Sequence, residues 1–316
     1  MADEERGTRV AGKYELVAPL GEGGMANVWR GLTHGAAGFT RKVAIKRVLP
    51  KLAKDTNFAA MFVEEARVVS ELQHPNIVQV HDFDQDAEGR YFIVMEWIEG
   101  LDLDDWVTTY DGVGPTPWPL AAAIGIEVLR ALSAAHERTD EAGNPAPVIH
   151  RDVNPANILL GVTGTVKLAD FGLARAMDRA SMTQPGIVKG KLSYLSPELL
   201  TGQQATPKSD IFGLGIVLWE TLTGKRLFGG GHPGDVIMRV AESKVPLLRD
   251  MRPDLPLPLC EVVHCALAKK LDDRFDSANE MLRALASLLR THPEPTDARP
   301  LGKSVRDALA RKRARK

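Results

Sequence analysis

His150-Arg151-Asp152-Val153-Asn154-Pro155-Ala156-Asn157 is a polar loop that runs straight into the apolar triplet Ile158-Leu159-Leu160. A second junction of the same kind follows in reverse order: the strand-like Val166-Lys167-Leu168, then Ala169-Asp170-Phe171-Gly172. Each junction sets a carboxylate or a carboxamide beside a short apolar run. Asn157 and Asp170 offer hard oxygen donors of the kind that Mg²⁺ prefers. Asp152 has the chemistry to take a proton from a hydroxyl nucleophile. Any one of them alone is an ordinary turn residue, the commoner fate of Asp and Asn in loops.

Upstream, two more segments carry chemistry. Leu20-Gly21-Glu22-Gly23-Gly24-Met25-Ala26-Asn27-Val28 lies between two strand-like runs. Glycines there let a hairpin backbone approach phosphates with its N–H groups turned toward an anion. No Gly-Lys-Ser/Thr closes it, and a strand rather than a helix follows, which excludes a P-loop and a dinucleotide fingerprint. Next comes Val43-Ala44-Ile45-Lys46, a strand whose alternation puts Ala44 and Lys46 on one face. A helix is expected over 56–72. At about 100° per residue, Phe58, Met61, Phe62, Val69 and Leu72 share one face, and Glu65 falls in the middle of it. A carboxylate centred on a buried stripe needs a cation, and Lys46 is the candidate.

These four signals, in this order, resemble the protein kinase family, in particular the bacterial kinases of eukaryotic Ser/Thr type. The resemblance runs from about Tyr14 to Leu289. It takes in Tyr194-Leu195-Ser196-Pro197-Glu198, where Ser stands for the family's Ala, and Ser209-Asp210-Ile211-Phe212-Gly213-Leu214-Gly215, similar to the buried helix that anchors the catalytic loop. It ends near Asp272-Asp273-Arg274-Phe275, with Arg274 expected to pair with Glu198.

The resemblance implies an α+β, two-lobed fold: a small antiparallel β-sheet lobe with one key helix, then a larger, mostly helical lobe. Residues 1–13 are expected to be loose. The kinase domain would span 14–289, with an N-lobe over 14–97, a hinge over 95–100 and a C-lobe over 101–289. Residues 290–316 would form a basic tail. The texture of the chain agrees. Short β-type runs fall at 14–20, 27–32, 42–49, 77–83 and 91–97, and helical patterns at 120–137, 209–223, 233–241, 257–269 and 279–289.

The resemblance also implies roles. Gly21, Glu22, Gly23, Gly24, Met25, Ala26 and Val28 would cover ATP. Lys46 would contact its α- and β-phosphates, held by Glu65. Ala44 would pack on adenine, with Met95, Glu96 and Ile98 in the hinge segment and Met95 guarding the space behind. Asp152 would orient the substrate hydroxyl, and Asn157 and Asp170 would hold Mg²⁺. Ser181 and Thr183 fall in the activation-loop segment, with Thr183 favoured as a phosphosite and Arg151 as its receptor.

Three positions depart from the family pattern. Ala26 replaces the third glycine, a mild change unless the backbone there needs positive φ. Asn154 stands where Ser/Thr kinases carry a lysine that touches the γ-phosphate, and a missing cation there costs transition-state stabilisation. Gly190-Lys191 replaces the family's Gly-Thr. A lysine lost at 154 and gained at 191 suggests that the Lys191 ammonium reaches into the vacated position, on a stem flexible enough to do so.

Composition bounds the rest. The chain has 316 residues, 44% hydrophobic and 26% charged, close to globular averages and far from disorder. A net charge of −1 does not fit bulk nucleic-acid affinity. The longest apolar run, Ile211 to Trp219, stops at Glu220, so no membrane span is expected. The acidic start is no secretory signal, and Cys260 and Cys265 are too few for a disulfide framework, which suggests the reducing cytoplasm. From Lys303 on there are seven Lys/Arg against one Asp. The ordinary reading is a solvated terminus, with contact to anionic lipid or nucleic acid as an auxiliary one. Expected partners are ATP and proteins bearing Ser/Thr hydroxyls, with a partner kinase or a second copy acting in trans. The competing function is a pseudokinase, a nucleotide-binding scaffold whose chemistry is lost. Asn154 alone favours it. A small-molecule kinase is disfavoured by the Pro-Glu segment and the long helical lobe.

Overall fold

The computed structural model describes residues 5–24, 26–171 and 192–315, with residues 57, 61 and 65 described by backbone alone. The chain divides into two compact units. Among the described residues the first comprises 5–73 and Val78–Ile98, and the second His74–Ile77, 99–171 and 192–315.

The first unit is a six-stranded antiparallel sheet: β1 (Arg9–Val10), β2 (Tyr14–Glu22), β3 (Ala26–His34), β4 (Thr40–Val48), β5 (Val80–Gln85) and β6 (Tyr91–Glu96), in the order β1-β2-β3-β4-β6-β5. Alternation along the strands builds its core: Leu16, Trp29, Val43, Ile45, Phe92 and Val94 are buried together on one face. A short helix α1 (Pro50–Ala53) leads to α2 (Thr56–Ser70). The face expected from periodicity is the one that packs, since Phe58, Phe62 and Ala66 are buried. Phe58 stacks on Phe62 at 6.0 Å, Phe62 meets Phe83 of β5 at 5.9 Å, and Phe83 stacks on Tyr91 at 5.3 Å.

From residue 5 onward the N-terminal segment is not loose. Val10 is buried, β1 pairs with the start of β2, and Glu5 accepts from Arg47 Nη1 at 3.0 Å. Arg47 is itself buried on β4 and held by Asp86 at 2.6 Å, with Arg90 on the same carboxylate at 3.0 Å. The buried guanidinium needs carboxylates around it, and that requirement orders residue 5.

In the second unit, β7 (Gly100–Asp102), β8 (Ile158–Gly161) and β9 (Val166–Leu168) form a three-stranded antiparallel sheet. The helices are α3 (Leu103–Thr108), α4 (Trp118–His136), α5 (Pro197–Leu200), α6 (Pro207–Thr223), α7 (Pro233–Glu242), α8 (Leu248–Met251), α9 (Leu257–Ala266), α10 (Ala278–Arg290) and α11 (Ala298–Ala314). The expected strand at 77 begins only at Val80. Residues 74–77 join the second unit instead: Asn76 Nδ2 donates to Val166 O at 2.9 Å and to Glu127 at 2.8 Å, and Ile77 bridges Leu168.

Helix α6 is buried from Ser209 through Leu222. A capping box at Thr206 and Ser209 starts it, and Gly224, at φ 66°, ends it in the left-handed conformation. Helix α4 bears on the expectation on membrane spans. Its 19 residues, with a mean hydropathy of 1.3, are long and apolar enough to cross a bilayer by length and composition. Their apolar side chains are instead consumed by packing, with Ala121 to Ile126, Val128, Leu129, Ala131, Leu132 and Ala135 buried.

The basic terminus is also corrected. It folds as α11, with Leu301, Val305 and Ala308 buried, against β7 and β8. Gly302 allows the approach, because a Cβ there would lie 2.8 Å from Val162 O. Trp106 Nε1 donates to Ser304 Oγ at 3.0 Å, and the Arg311 guanidinium lies 4.8 Å over the Tyr110 ring. Lys312 pairs with Asp105, and Arg315 donates to Thr108 O at 2.8 Å. The apolar face at 301, 305 and 308 outweighs the like-charge repulsion that suggested a solvated tail.

Candidate active site

In the first unit, strand register gathers one set of candidate residues on a single face. Val28 pairs with Lys46, which pairs with Ile93, and Ala44 pairs with Met95. Directly opposed residues and their i+2 neighbours share a face, so Val28, Ala44, Lys46 and Met95 lie together, opposite the Trp29–Ile45–Val94 core. Gly21, paired with Val28, belongs to the same hairpin. The turn between β2 and β3 closes with Gly23 N donating to Ala26 O at 3.0 Å, and a Cβ on Gly23 would stand 3.1 Å from that oxygen. Gly21, Glu22 and Gly23 are exposed and Gly24 half-buried. Ala26 is not among the positive-φ residues, so its methyl strains nothing. Glu96 accepts from Gln79 N at 2.7 Å, fixing β6 to the stretch before β5, and Ile98 is half-buried. The backbone places Glu65 on α2, three positions after the buried Phe62.

In the second unit, Asp210 of α6 organises the catalytic-loop segment. Its Oδ2 accepts from His150 N at 2.8 Å and from His136 Nε2 at 2.8 Å, and its Oδ1 from Arg151 N at 2.8 Å. Those bonds hold Arg151 in a left-handed conformation (φ 68°), one that a non-glycine residue keeps only where its surroundings compel it. His150 is fully buried. Its Nδ1 accepts from Asp152 N at 3.2 Å, so the ring proton sits on Nε2, which donates to Ala169 O at 2.8 Å. The ring meets Phe171 edge-on at 4.5 Å. Ala169 N in turn donates to Asn157 O at 2.8 Å. The segments that carry Asp152, Asn157 and Asp170 are therefore joined through Ala169, by the His150 ring at its oxygen and by Asn157 O at its nitrogen. Asp170 also has positive φ, 62°. Asn157 Nδ2 donates to Asp152 O at 2.8 Å and to Asp152 Oδ2 at 3.3 Å.

The donor set fits a hard divalent cation. With the Asn157 amide nitrogen committed to Asp152, its Oδ1 is the end of that side chain left to offer a cation. Among the described residues no three His, Cys, Asp or Glu side chains form a closed cage. Mg²⁺ is usually bound that way, by one or two side-chain oxygens together with substrate phosphates.

Glu198 and Arg274 pair as expected, bidentate at 3.0 and 2.8 Å and buried on both sides. Burial, the largest single influence, pushes the Glu198 carboxyl up, but the Arg274 hydrogen bonds, a main-chain bond, Ser196 and the Arg274 charge together outweigh it and hold Glu198 below the ordinary glutamate value. Sequence reasoning missed the neighbouring network. Tyr194 donates to Glu220 at 2.6 Å, and Arg226 reaches Glu220 at 3.0 Å and Asp104 at 2.7 Å. Burial, then the Glu220 charge, raises the Tyr194 hydroxyl pKa far above its usual value. A carboxylate in an otherwise apolar helix was the available signal. Met25, Ser181, Thr183 and Lys191, and the Glu65 side chain, lie outside the described residues.

Comparison with known proteins agrees with this geometry. The model of the protein kinase domain matches residues 14–290. The chain belongs to the protein kinase family. It is 40% identical over 295 residues to the tyrosine-protein kinase MasK of Myxococcus xanthus, covering 92% of this chain and 45% of that protein. It is 35% identical to the serine/threonine-protein kinase PrkC of Bacillus subtilis, covering 87% of this chain and 40% of that one. The chain thus spans less than half the length of these relatives. Among solved structures, the PknI kinase domain of Mycobacterium tuberculosis matches with a TM-score of 0.65 at 30% identity, over 89% of this chain and 97% of that one.

Proposed function

We propose that this protein kinase transfers the γ-phosphoryl group of ATP, with Mg²⁺, to Ser/Thr hydroxyls of proteins. The observation that carries the reading is the catalytic loop, in which Asp152 is gripped by Asn157 and tied through Ala169 to Asp170. Asp152 orients the acceptor hydroxyl and takes its proton as the oxygen–phosphorus bond forms and the β–γ bridge bond breaks. Lys46, held by Glu65, positions the α- and β-phosphates. Gly21, Gly23 and Val28 cover the nucleotide, and Ala44, Met95, Glu96 and Ile98 shape the adenine site. Asn157 and Asp170 would hold Mg²⁺, whose charge neutralises the phosphate oxygens.

Lys191 supplies the cation missing at position 154, and Thr183, ahead of Ser181, is the self-modified residue. Arg151 Nε, buried and without a hydrogen-bond partner among the described residues, supports a receptor for that phosphate. The unpaired thiols Cys260 and Cys265 favour a reducing compartment, the cytoplasm. Asn154 favours a second reading, a nucleotide-binding pseudokinase, and the likeness to MasK favours a tyrosine hydroxyl as acceptor.

One assay separates these. With a generic basic protein as acceptor, Lys46→Met lowers transfer by about 10²–10³-fold. Lys191→Met lowers it by about tenfold or more with nucleotide binding intact. Full activity of Lys191→Met removes that residue from the mechanism. Label found only on tyrosine overturns the Ser/Thr assignment.

A further inference from the structure

From the sequence, position 154 reads as a loss, a lysine replaced by a residue without charge. The geometry shows a side chain using both ends. Asn154 Nδ2 donates to Asp152 Oδ1 at 2.9 Å and to Asp152 O at 3.0 Å. Its Oδ1 accepts from Ala156 N at 3.0 Å and from Asn157 N at 3.3 Å, capping the 3₁₀ turn Pro155–Asn157. The reversed amide would turn its NH₂ toward two N–H groups and its oxygen toward two oxygens, so only this orientation fits.

We propose that Asn154 is a positioning residue for Asp152, a carboxamide clamp that replaces the usual lysine rather than a lesion in the loop. This rests on the phosphotransfer reading above. Asn154 holds one carboxylate oxygen of Asp152 and Asn157 holds the other, so the carboxylate plane is gripped from both sides. The same Asn154 amide, by capping the turn, fixes the backbone that presents Asn157. A lysine could donate to Asp152 but has no acceptor with which to cap. An aspartate could cap but would set a like charge against Asp152. Only a group that both donates and accepts makes all these bonds.

The test compares wild type with Asn154→Ala, Asn154→Asp, Asn154→Lys and Asn154→Ser. Asn154→Ala lowers kcat by about 10–100-fold with KM for ATP within about twofold, because a displaced base slows the chemical step without loosening the nucleotide. Asn154→Asp loses kcat at least as far, although its turn stays capped. Asn154→Ser, whose hydroxyl both donates and accepts, recovers part of the loss. Asn154→Lys stays at or below wild type. Amide exchange read by NMR needs no turnover: the Ala156 N–H is protected in wild type and in Asn154→Asp and loses protection in Asn154→Ala and Asn154→Lys, whereas the Asn157 N–H keeps its main-chain acceptor, Asn154 O at 3.1 Å, in every variant. A kcat for Asn154→Ala within twofold of wild type, a several-fold gain in Asn154→Lys, or unchanged exchange at Ala156 in Asn154→Ala overturns the clamp. If wild type itself transfers no phosphate, the functional reading fails, and the exchange data still decide the clamp.

Discussion

Arg274→Ala lowers the stability of the second unit by about 3–5 kcal/mol, the usual cost of removing one partner from a buried ion pair. Arg274 is 3% exposed and holds more than Glu198. Its Nε donates to Ala268 O at 2.8 Å and its Nη1 to Lys208 O at 3.0 Å, and its guanidinium lies 4.6 Å over the Phe212 ring. Truncation strands the Glu198 carboxylate in the interior without its cation, with Ser209 Oγ still donating at 2.8 Å. Thermal unfolding should show the midpoint falling by roughly 10 °C. The pH dependence adds a sign. A carboxyl whose folded pKa is lowered stabilises above its unfolded value and loses that contribution as pH falls through the folded one. Glu198 behaves so in the wild type, and Arg274→Ala flattens that acid limb. A variant that melts with wild type, with the same acid limb, contradicts the assignment.

Asp210→Ala has a comparable effect on stability and a larger one on turnover. It leaves the His150 and Arg151 N–H groups without their acceptor, at about 1–3 kcal/mol each. It also removes the bonds that help hold Arg151 in its left-handed conformation. Since Asp152 follows Arg151 directly, the base loses its placement. Phosphotransfer should drop by about 10²-fold or more at a temperature where the variant remains folded, checked by circular dichroism beside the assay. Activity close to wild type in a folded Asp210→Ala would mean that the loop is held in some other way.

Much of this fold was legible because local chemistry and tertiary demand coincide. The stripe at Phe58 and Phe62 is the face that packs on Phe83. The alternation at Val43 and Ile45 buries them and leaves Ala44 and Lys46 on the other face. What escaped was non-local or depended on both ends of one side chain. Nothing near residue 76 announces that Asn76 Nδ2 will reach Val166 O. The buried Arg47 reads as a surface cation until Asp86 and Glu5 are placed around it. In the C-terminal helix the apolar spacing at Leu301, Val305 and Ala308 was present, but the density of positive charge masked it. At Asn154 the sequence displays the charge that is missing, whereas the amide acts by donating and accepting at once, which only the folded loop displays.

The most direct test of the account is transfer of label from γ-labelled ATP, with and without Mg²⁺, by the wild type and by Asp152→Asn, followed by mapping of the labelled residues. The account predicts Mg²⁺-dependent label on serine or threonine, reduced by about 10²–10⁴-fold in Asp152→Asn. Nucleotide binding with no label on the protein itself or on a basic acceptor would contradict it and leave a scaffold that holds ATP without using it.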